Sequence, residues 1–166
     1  MIADIKAHMM FDQANSFYIC AKLCEYKLEN GVARFDMYST PQIVTLALAC
    51  EIYLKTLLFC IDGKTLVKAH GLDDLVKMLP LDIKDSLMQS VYERFPAMNN
   101  VWGFPYLELV SKAFTDWRYS YEKDRLSCEV GYLAALADAL KEECSQLIYE
   151  ISWNEYCRNS KLDSDL

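Results

Sequence analysis

Residues 43–61 read IVTLALACEIYLKTLLFCI, an apolar run that only Glu51 and Lys55 interrupt with a charge. These two residues are four apart, so a helix would place them one turn apart on one face, with the acid first, the favourable order for an ion pair. A helix this apolar must be buried over most of its surface, and buried charges are rarely kept unless they are paired or functional. The segment therefore predicts the central helix of a bundle, with a polar pair inside it.

The same run has nearly the length of a membrane span, but its two charges argue against that function. A Glu or a Lys near the centre of a span costs about 2.5–3.5 kcal/mol on insertion scales. The flanks of the run also lack interfacial anchors on both sides. We therefore expect the helix to lie in the core of a soluble protein, and we expect no membrane among its partners.

The N-terminus and the cysteines bear on the cellular location. The first ten residues, MIADIKAHMM, have Asp4 where the basic start of a secretory signal would lead into an apolar core. The chain has seven cysteines, an odd number without the spacing of a disulfide framework, so we expect reduced thiols. Both observations predict a cytoplasmic protein.

Length, composition and charge limit the architecture and the partners. A chain of 166 residues with 53% hydrophobic residues is long enough for one domain with a large core. Only 5 Gly and 4 Pro leave little room for a turn-rich β fold. The net charge of −7 argues against non-specific coating of nucleic acid, which needs a basic face, but it is compatible with a local basic groove. We expect a single domain over residues 1–157 and a polar tail over 158–166.

Apolar residues recur at intervals of three and four along most of the chain, the spacing of a helix face. Gly31 is typical of a helix end, and Asp82 of a helix cap. Pro41 suits a first helical position, with Ser39 or Thr40 as the cap before it. The sequence thus predicts an all-α, up-and-down bundle of five to six helices. The predicted helices cover residues 3–29, 41–61, 71–79, 83–95, 106–117 and 130–151, with residues 118–128 unassigned.

The inventory of metal ligands and loop motifs predicts neither a metal nor a cofactor. The only histidines are His8 and His70, and neither has a Glu three residues before it, as a di-metal carboxylate bundle requires. Cys20 and Cys24 would share a helix face, but no second pair stands at a zinc-site spacing, and cysteines often fill cores. Phosphate-binding glycine loops and a serine nucleophile elbow are also missing.

One set of polar residues remains as a candidate site, although no catalytic residue is assigned within it. Residues 114–122 read FTDWRYSYE, where charges alternate with aromatic rings, and His70 precedes a predicted helix. These residues could form a buried network that fixes how the helices pack, or a site for a ligand, RNA or catalysis. The set consists of Glu51, Lys55, His70, Arg118, Tyr119 and Glu122.

Four segments, taken in order, resemble a HEPN-type domain (the higher-eukaryote and prokaryote nucleotide-binding helical family). They are SFYICAKLC (16–24), ALACEIYLKTLL (47–58), AHGLDDLVKML (69–79) and AFTDWRYSYE (113–122). The third is similar to the family's Gly-His-x-Leu-x-x-Leu segment, with Ala and His ahead of Gly here. The resemblance covers about residues 10–145 and implies an up-and-down α-bundle that usually dimerises. It also implies a place in toxin–antitoxin, abortive-infection or other phage-defence systems.

Many members of that family are metal-independent ribonucleases with an Arg and a following His on a late helix at the dimer interface. In this sequence Arg118 has no histidine in the following six positions. The residue that would move protons during attack by a ribose hydroxyl is therefore not in its place. The same is true of Arg34, Arg94, Arg125 and Arg158.

The sequence therefore favours a non-catalytic, HEPN-like binding or regulatory protein, expected to be a homodimer, with RNA, a nucleotide or another protein as its partner. An alternative is a metal-independent ribonuclease that uses Arg118, Glu122 and His70. A third interpretation is a structural dimerisation module built on the 130–151 helix, in which Leu136, Leu140 and Leu147 would hold the dimer together.

Overall fold

The computed structural model describes residues 2–31, 35–63, 67–99 and 105–150, and over these ranges the chain forms helices and no strand. The all-α prediction is confirmed, but the described residues form seven α-helices rather than five or six. Short 3₁₀ helices cover Pro96–Asn99 and Ser120–Glu122. The α-helices are α1 (Ile2–Glu29), α2 (Phe35–Asp62), α3 (Leu72–Lys77), α4 (Leu81–Arg94), α5 (Tyr106–Ser111), α6 (Ala113–Arg118) and α7 (Val130–Tyr149).

Helices α1 and α2 form an antiparallel hairpin. Lys6 lies over the ring of Phe59, 4.9 Å from its centroid, and Phe11 contacts Tyr53 with ring centroids 5.9 Å apart. Residues early in α1 therefore contact residues late in α2, which shows that the two helices run in opposite directions. The hydroxyl of Tyr53 donates to Asn15 Oδ1 at 2.6 Å. The hairpin is thus fixed by aromatic packing and by one buried hydrogen bond.

Helix α2 is the central helix, as its apolar sequence predicts. It packs against α1, α3, α6 and α7, and α4 packs against α7. Among the described residues, one helical stretch, Met37–Asp62, is long and apolar enough to cross a membrane, with a mean hydropathy of 1.9 in its most apolar window. Because 67% of that window is buried inside the bundle, the stretch matches the core helix of a soluble protein.

The predicted start of the second helix is wrong. Helix α2 begins at Phe35, so Pro41 lies inside it, and Ser39 and Thr40 are helical residues rather than caps. A proline inside a helix removes one hydrogen bond and costs about 3 kcal/mol. Ser39 and Ile43, on either side of Pro41, are buried, and this packing offsets the cost. Tertiary packing therefore overrides the local preference of proline for the first turn of a helix.

Two other helices also differ from their predicted bounds. Helix α4 begins at Leu81, directly after Pro80, so Asp82 lies in its first turn and is not its cap. An acid there still interacts favourably with the helix N-terminus. The helix predicted over 106–117 is two short helices, α5 and α6, separated at Lys112, whose backbone (φ −103°, ψ 13°) leaves the helical region.

Helix α7 contributes its buried face to the core, and this bears on the proposed dimerisation residues. Leu136 and Leu140 are fully buried in the monomer, whereas Leu147 is 45% exposed. Polar substitutions of the two buried leucines would therefore destabilise the fold and could not report on assembly. The predicted last helical residue, Ile151, and the predicted tail, 158–166, lie outside the described residues, and so does the end of the predicted domain at residue 157.

Candidate functional site

Glu51 is the centre of the candidate site, in the middle of α2. Its side chain is only 6% exposed, and its Oε1 accepts a hydrogen bond from Lys55 Nζ at 2.8 Å. The Lys55 side chain, one turn further on, is 20% exposed and so keeps contact with water. The charged pair inside the apolar helix therefore forms as an i,i+4 ion pair, with the buried partner being the acid.

His70 reaches the same carboxylate from the loop before α3. Its Nδ1 lies 2.9 Å from Glu51 Oε1, while its side chain is 64% exposed. A carboxylate partner at Nδ1 keeps the proton on that nitrogen, so in the neutral ring Nε2 is the free acceptor. We call Glu51, Lys55 and His70 the Glu51 group. It combines a buried acid with an exposed imidazole.

The second oxygen of Glu51 is the unusual feature of this group. Oε2 is buried and has no hydrogen-bond partner among the residues that the structure describes. A buried acceptor without a partner costs about 1–3 kcal/mol, and more when it is charged. Both donors, Lys55 and His70, converge on Oε1 instead. The Glu51 group is therefore not a fully satisfied structural network of the kind that only holds helices together.

A polar hollow of about 210 Å³ lies beside His70, between α3 and the α5–α6 junction. Such a hollow is smaller than the roughly 300–1,000 Å³ of a drug-sized ligand site, so it fits one chemical group and not a whole cofactor. Every residue that lines it has a polar or charged side chain except one glycine. The lining residues are His70, Gly71, Asp73, Asp74, Ser111, Lys112 and Thr115.

Ser111 and Asp73 hold the hollow together, and the sequence did not point to this pair. The buried hydroxyl of Ser111 donates to the Asp73 carboxylate and accepts from the backbone N–H of Asp73 at 3.2 Å. It thereby acts as a helix cap for α3, because the residue at the cap position, Gly71, has no side chain to do so. A Cβ on Gly71 would lie 3.1 Å from oxygens of Asp73 and Ser111, so any other residue there would push these side chains aside by a few tenths of an ångström.

Asp73 is also paired on its outer side. Lys77 Nζ lies 2.7 Å from Asp73 Oδ2, one helical turn away. The hydrogen bond from Lys77 is the main cause that lowers the pKa of Asp73 below its ordinary value, and the one from Ser111 is the second. The carboxylate is therefore charged at neutral pH and is already neutralised by Lys77.

The remaining predicted residues form a second group at the end of α6 and in the residues that follow it. Arg118 ends α6, and its guanidinium carbon lies 4.9 Å from the Phe114 ring centroid and 4.7 Å from that of Tyr119. Tyr119 is 42% exposed and contacts Tyr121, which is 79% exposed. Arg118 is thus held by stacking on two aromatic rings rather than by a carboxylate.

Glu122 does not share a helix face with Arg118, because α6 ends at Arg118 and a 3₁₀ helix follows at Ser120–Glu122. Among the described residues, no hydrogen bond or ion pair joins Glu51, Lys55 or His70 to this second group. The structure therefore brings three of the six predicted residues into contact. Arg118 and Tyr119 contact each other elsewhere, and Glu122 lies exposed beside them.

The arrangement of donor side chains bears on metal binding. Within the described ranges no three His, Cys, Asp or Glu side chains are grouped closely enough to hold a metal ion. Cys20 is exposed and Cys24 is half-buried on α1, and both are free thiols.

Comparisons with protein-family models, with curated proteins and with solved structures find no match for this chain. The likeness to HEPN-type domains therefore stays a prediction that rests on the four sequence segments. The chemistry of the site has to be argued from its own geometry.

Proposed function

We propose that this protein is a non-catalytic, HEPN-like binding or regulatory module that acts in the cytoplasm as a homodimer. Its ligand would be RNA or a nucleotide, held at the Glu51 group and in the polar hollow beside it. The biological setting that the resemblance implies is phage defence or a toxin–antitoxin system. The free thiols of the six described cysteines support the cytoplasmic part of the proposal, since exported proteins usually form disulfides.

The observation that carries the proposal is the half-open geometry of the Glu51 group. An acid that is 6% exposed is held by a lysine and by a histidine that is 64% exposed, and its second oxygen has no partner among the described residues. A buried charge whose donors reach solvent, one of them (His70) lining a hollow, is typical of binding sites and is costly as mere scaffold.

The charges around the hollow suit one part of a nucleotide. Lys112 lines the hollow, and Lys55 binds the same Glu51 oxygen as His70, so a phosphate would find one ammonium donor in the hollow and a second near His70. Asp73 repels a phosphate less than a free acid would, because Lys77 already neutralises it. Asp74, which is 66% exposed at its side chain, is an acceptor suited to a ribose hydroxyl or a base amino group.

Binding of a short single-stranded RNA and of ATP tests this function directly. We expect Lys55→Met to weaken the binding of the active probe by about tenfold, a loss of about 1.4 kcal/mol. Lys84→Met, on α4, is the matched control and should change the affinity by less than about twofold. Calorimetric titration gives the affinities, and circular dichroism verifies that each variant keeps its helices.

The outcomes separate the parts of the proposal. A wild-type protein that binds neither probe would show that the ligand class is wrong, which would leave a protein as the partner. Equal losses in Lys55→Met and Lys84→Met would show that binding is non-specific and does not use the Glu51 group.

A second candidate function, a metal-independent ribonuclease, is favoured by one observation. With Nδ1 held by Glu51, the exposed His70 ring presents Nε2 as an acid–base group. Arg118 and Glu122, the other two residues of this interpretation, make no polar contact with His70 in the described part of the chain, which weighs against it.

Cleavage of RNA in the presence of a chelator decides between the two functions. Metal-independent cleavage by the wild type that is lost in Arg118→Ala and in His70→Ala would establish the ribonuclease and contradict the non-catalytic module. A wild type that binds RNA but leaves it intact would contradict the ribonuclease.

A further inference from the structure

The outward face of α1 carries apolar side chains that the bundle does not cover. Phe11, Ala14 and Tyr18 point into the core, with exposures of 9% or less. Ser16 is two residues before Tyr18, about 200° around the helix, and therefore faces the opposite side. On that side the apolar side chains are largely exposed: Ile5 60%, Met9 67%, Leu23 46% and Tyr26 57%.

Three positions define the middle of this face. Met9, Ser16 and Leu23 are seven residues apart, and helix positions seven apart stay within about 20° of one line. Ser16 and the nearby Cys20 are exposed as well. We call the line Met9–Ser16–Leu23 the outer stripe of α1.

The outer stripe has a large apolar side chain at the same distance on either side of Ser16. Met9 lies seven residues before Ser16 and Leu23 lies seven residues after it. If two copies of α1 cross antiparallel with a two-fold axis at Ser16, Met9 meets Leu23 of the partner subunit, and the reverse contact forms by symmetry. A small residue at the crossing point lets the two helices approach closely.

Charge favours the antiparallel arrangement over the parallel one. Asp12 is exposed beside the stripe, four residues before Ser16. In the antiparallel pair the two Asp12 side chains are about 12 Å apart along the axis, beyond the screening length of roughly 8 Å at physiological salt. In a parallel pair they would face each other. Repulsion between the two Asp12 side chains therefore disfavours the parallel arrangement.

The exposed area is adequate for a small, reversible dimer. At roughly 200 Å² for a whole large side chain, Ile5, Met9, Leu23 and Tyr26 expose roughly 450 Å² in each copy. The exposed polar residues between them raise the face to about 600 Å² per partner, the lower end of the range for specific interfaces. Each copy also carries a net charge of −7, so added salt should strengthen the pairing by screening the repulsion.

We propose that two copies of this chain associate through the outer stripe of α1, antiparallel, with the two-fold axis at Ser16. This inference rests on the homodimer in the proposed function and is independent of the ligand at the Glu51 group. It assigns the direction of the pairing and a face on α1, rather than on the late helix that the resemblance implies at the dimer interface.

A charge-swap series tests the face. We expect Met9→Lys and Leu23→Glu each to weaken dimerisation at least about tenfold, measured by sedimentation across a dilution series. The double variant should recover the dimer, because each introduced ammonium then meets an introduced carboxylate across the axis. Met78→Lys and Leu81→Glu are matched controls, since those side chains are 51% and 67% exposed on another surface, and both should stay dimeric.

The outcomes distinguish the inference from the homodimer itself. A dimer that persists in Met9→Lys and in Leu23→Glu lies on another face, which overturns the inference and leaves the homodimer standing. A wild type that is monomeric at every concentration and salt level overturns both. Loss of ligand binding in a variant that remains dimeric concerns only the Glu51 group.

Cysteine cross-linking tests the direction. In a Cys20→Ser background, Ser16→Cys should form an intermolecular disulfide on mild oxidation, because position 16 lies at the axis. In the wild type, Cys20 should not form such a disulfide. The two Cys20 residues of the dimer would be about 12 Å apart along the axis, and a disulfide needs Cα atoms within about 7 Å. Burial raises the pKa of the Cys50 and Cys144 thiols, which keeps them unreactive. Cross-linking through Cys20, or none at position 16 in a proven dimer, would contradict the antiparallel pairing.

Discussion

Two lysines that each follow an acid on the same helix have opposite surroundings. On α2, Glu51 is the buried partner and Lys55, at 20% exposure, reaches water. On α7, Lys141 is the buried partner, at 8% exposure, and Asp138, at 33%, reaches water. The Lys141 ammonium lies 3.9 Å from the centroid of the Tyr18 ring and 3.4 Å from Asp138. One group thus buries its negative charge and the other its positive charge.

The surroundings of the two groups indicate which of them is scaffold. Tyr18 donates a hydrogen bond to Asp138, so the Lys141 group links α1 to α7 through an ion pair, a hydrogen bond and a cation–π contact. A buried cation that is held from several sides fixes how two helices pack. In the Glu51 group both donors use one carboxylate oxygen, and the exposed His70 forms one side. We therefore call the Lys141 group (Tyr18, Asp138 and Lys141) the closed group and the Glu51 group the open group.

The largest expected effect comes from breaking the closed group. Asp138→Ala leaves the ammonium of Lys141 buried without that carboxylate, and removing one partner of a buried pair costs about 3–5 kcal/mol. Because Asp138 is one-third exposed and the Tyr18 ring remains, we expect a loss of about 2 kcal/mol in the free energy of unfolding. Urea unfolding followed by circular dichroism measures it.

Lys141→Met is the matched variant, because it removes the charge and keeps the length of the side chain. It should change the free energy of unfolding by less than about 1 kcal/mol, since replacing a buried ion by an apolar side chain is often neutral. A larger loss in Lys141→Met than in Asp138→Ala would show that the ammonium itself stabilises the fold, and it would reverse this assignment.

An intermediate effect is expected in the open group. Glu51→Gln keeps the shape of the side chain and removes the charge that Lys55 and His70 share. Both partners can turn to water, so we expect a loss of about 1 kcal/mol in the free energy of unfolding, smaller than in Asp138→Ala. His70→Ala should cost less than about 0.5 kcal/mol because the ring is 64% exposed. A loss in Glu51→Gln as large as in Asp138→Ala would identify the Glu51 group as scaffold too.

The open group could be predicted from sequence because its ion pair is local. Glu51 and Lys55 are four residues apart in an apolar helix, so periodicity alone brings them together. The Tyr18–Asp138 contact joins residues 120 apart, and the Ser111–Asp73 contact joins residues 38 apart. No periodic signal encodes such pairs, since they depend on how the helices pack after they form.

The accuracy of the fold prediction likewise depends on whether a feature is set by local sequence or by tertiary packing. The periodic stretches predict helix type well, and α1 and α7 end within about two residues of their predicted ends where the structure describes them. Pro41 and the chain around Lys112 were misjudged because packing overrode local preference in one place and broke a regular pattern in the other.

The smallest effect expected is a pH dependence in the hollow beside the open group. The hydrogen bond from Lys77, with a second from Ser111, lowers the pKa of Asp73, so this acid stabilises the fold when it is ionised. Its contribution is fully present above the ordinary Asp pKa of about 3.9 and is lost as the pH falls through the lower folded value. The wild type should therefore be more stable than Asp73→Asn at neutral pH, and the difference should shrink below about pH 4.

Thermal unfolding of both proteins between neutral and acid pH measures this difference. Asp74→Asn is the matched control, because the Asp74 side chain is 66% exposed and lies 3.6 Å from Lys77, against 2.7 Å for Asp73. The difference in stability between Asp74→Asn and the wild type should be smaller at neutral pH and should change less as the pH falls. If the two variants behave alike, the Ser111–Asp73–Lys77 chain does not hold the hollow in shape. The open group would then lack the rigid wall that a ligand site needs, and the contrast with the closed group would rest on Glu51 alone.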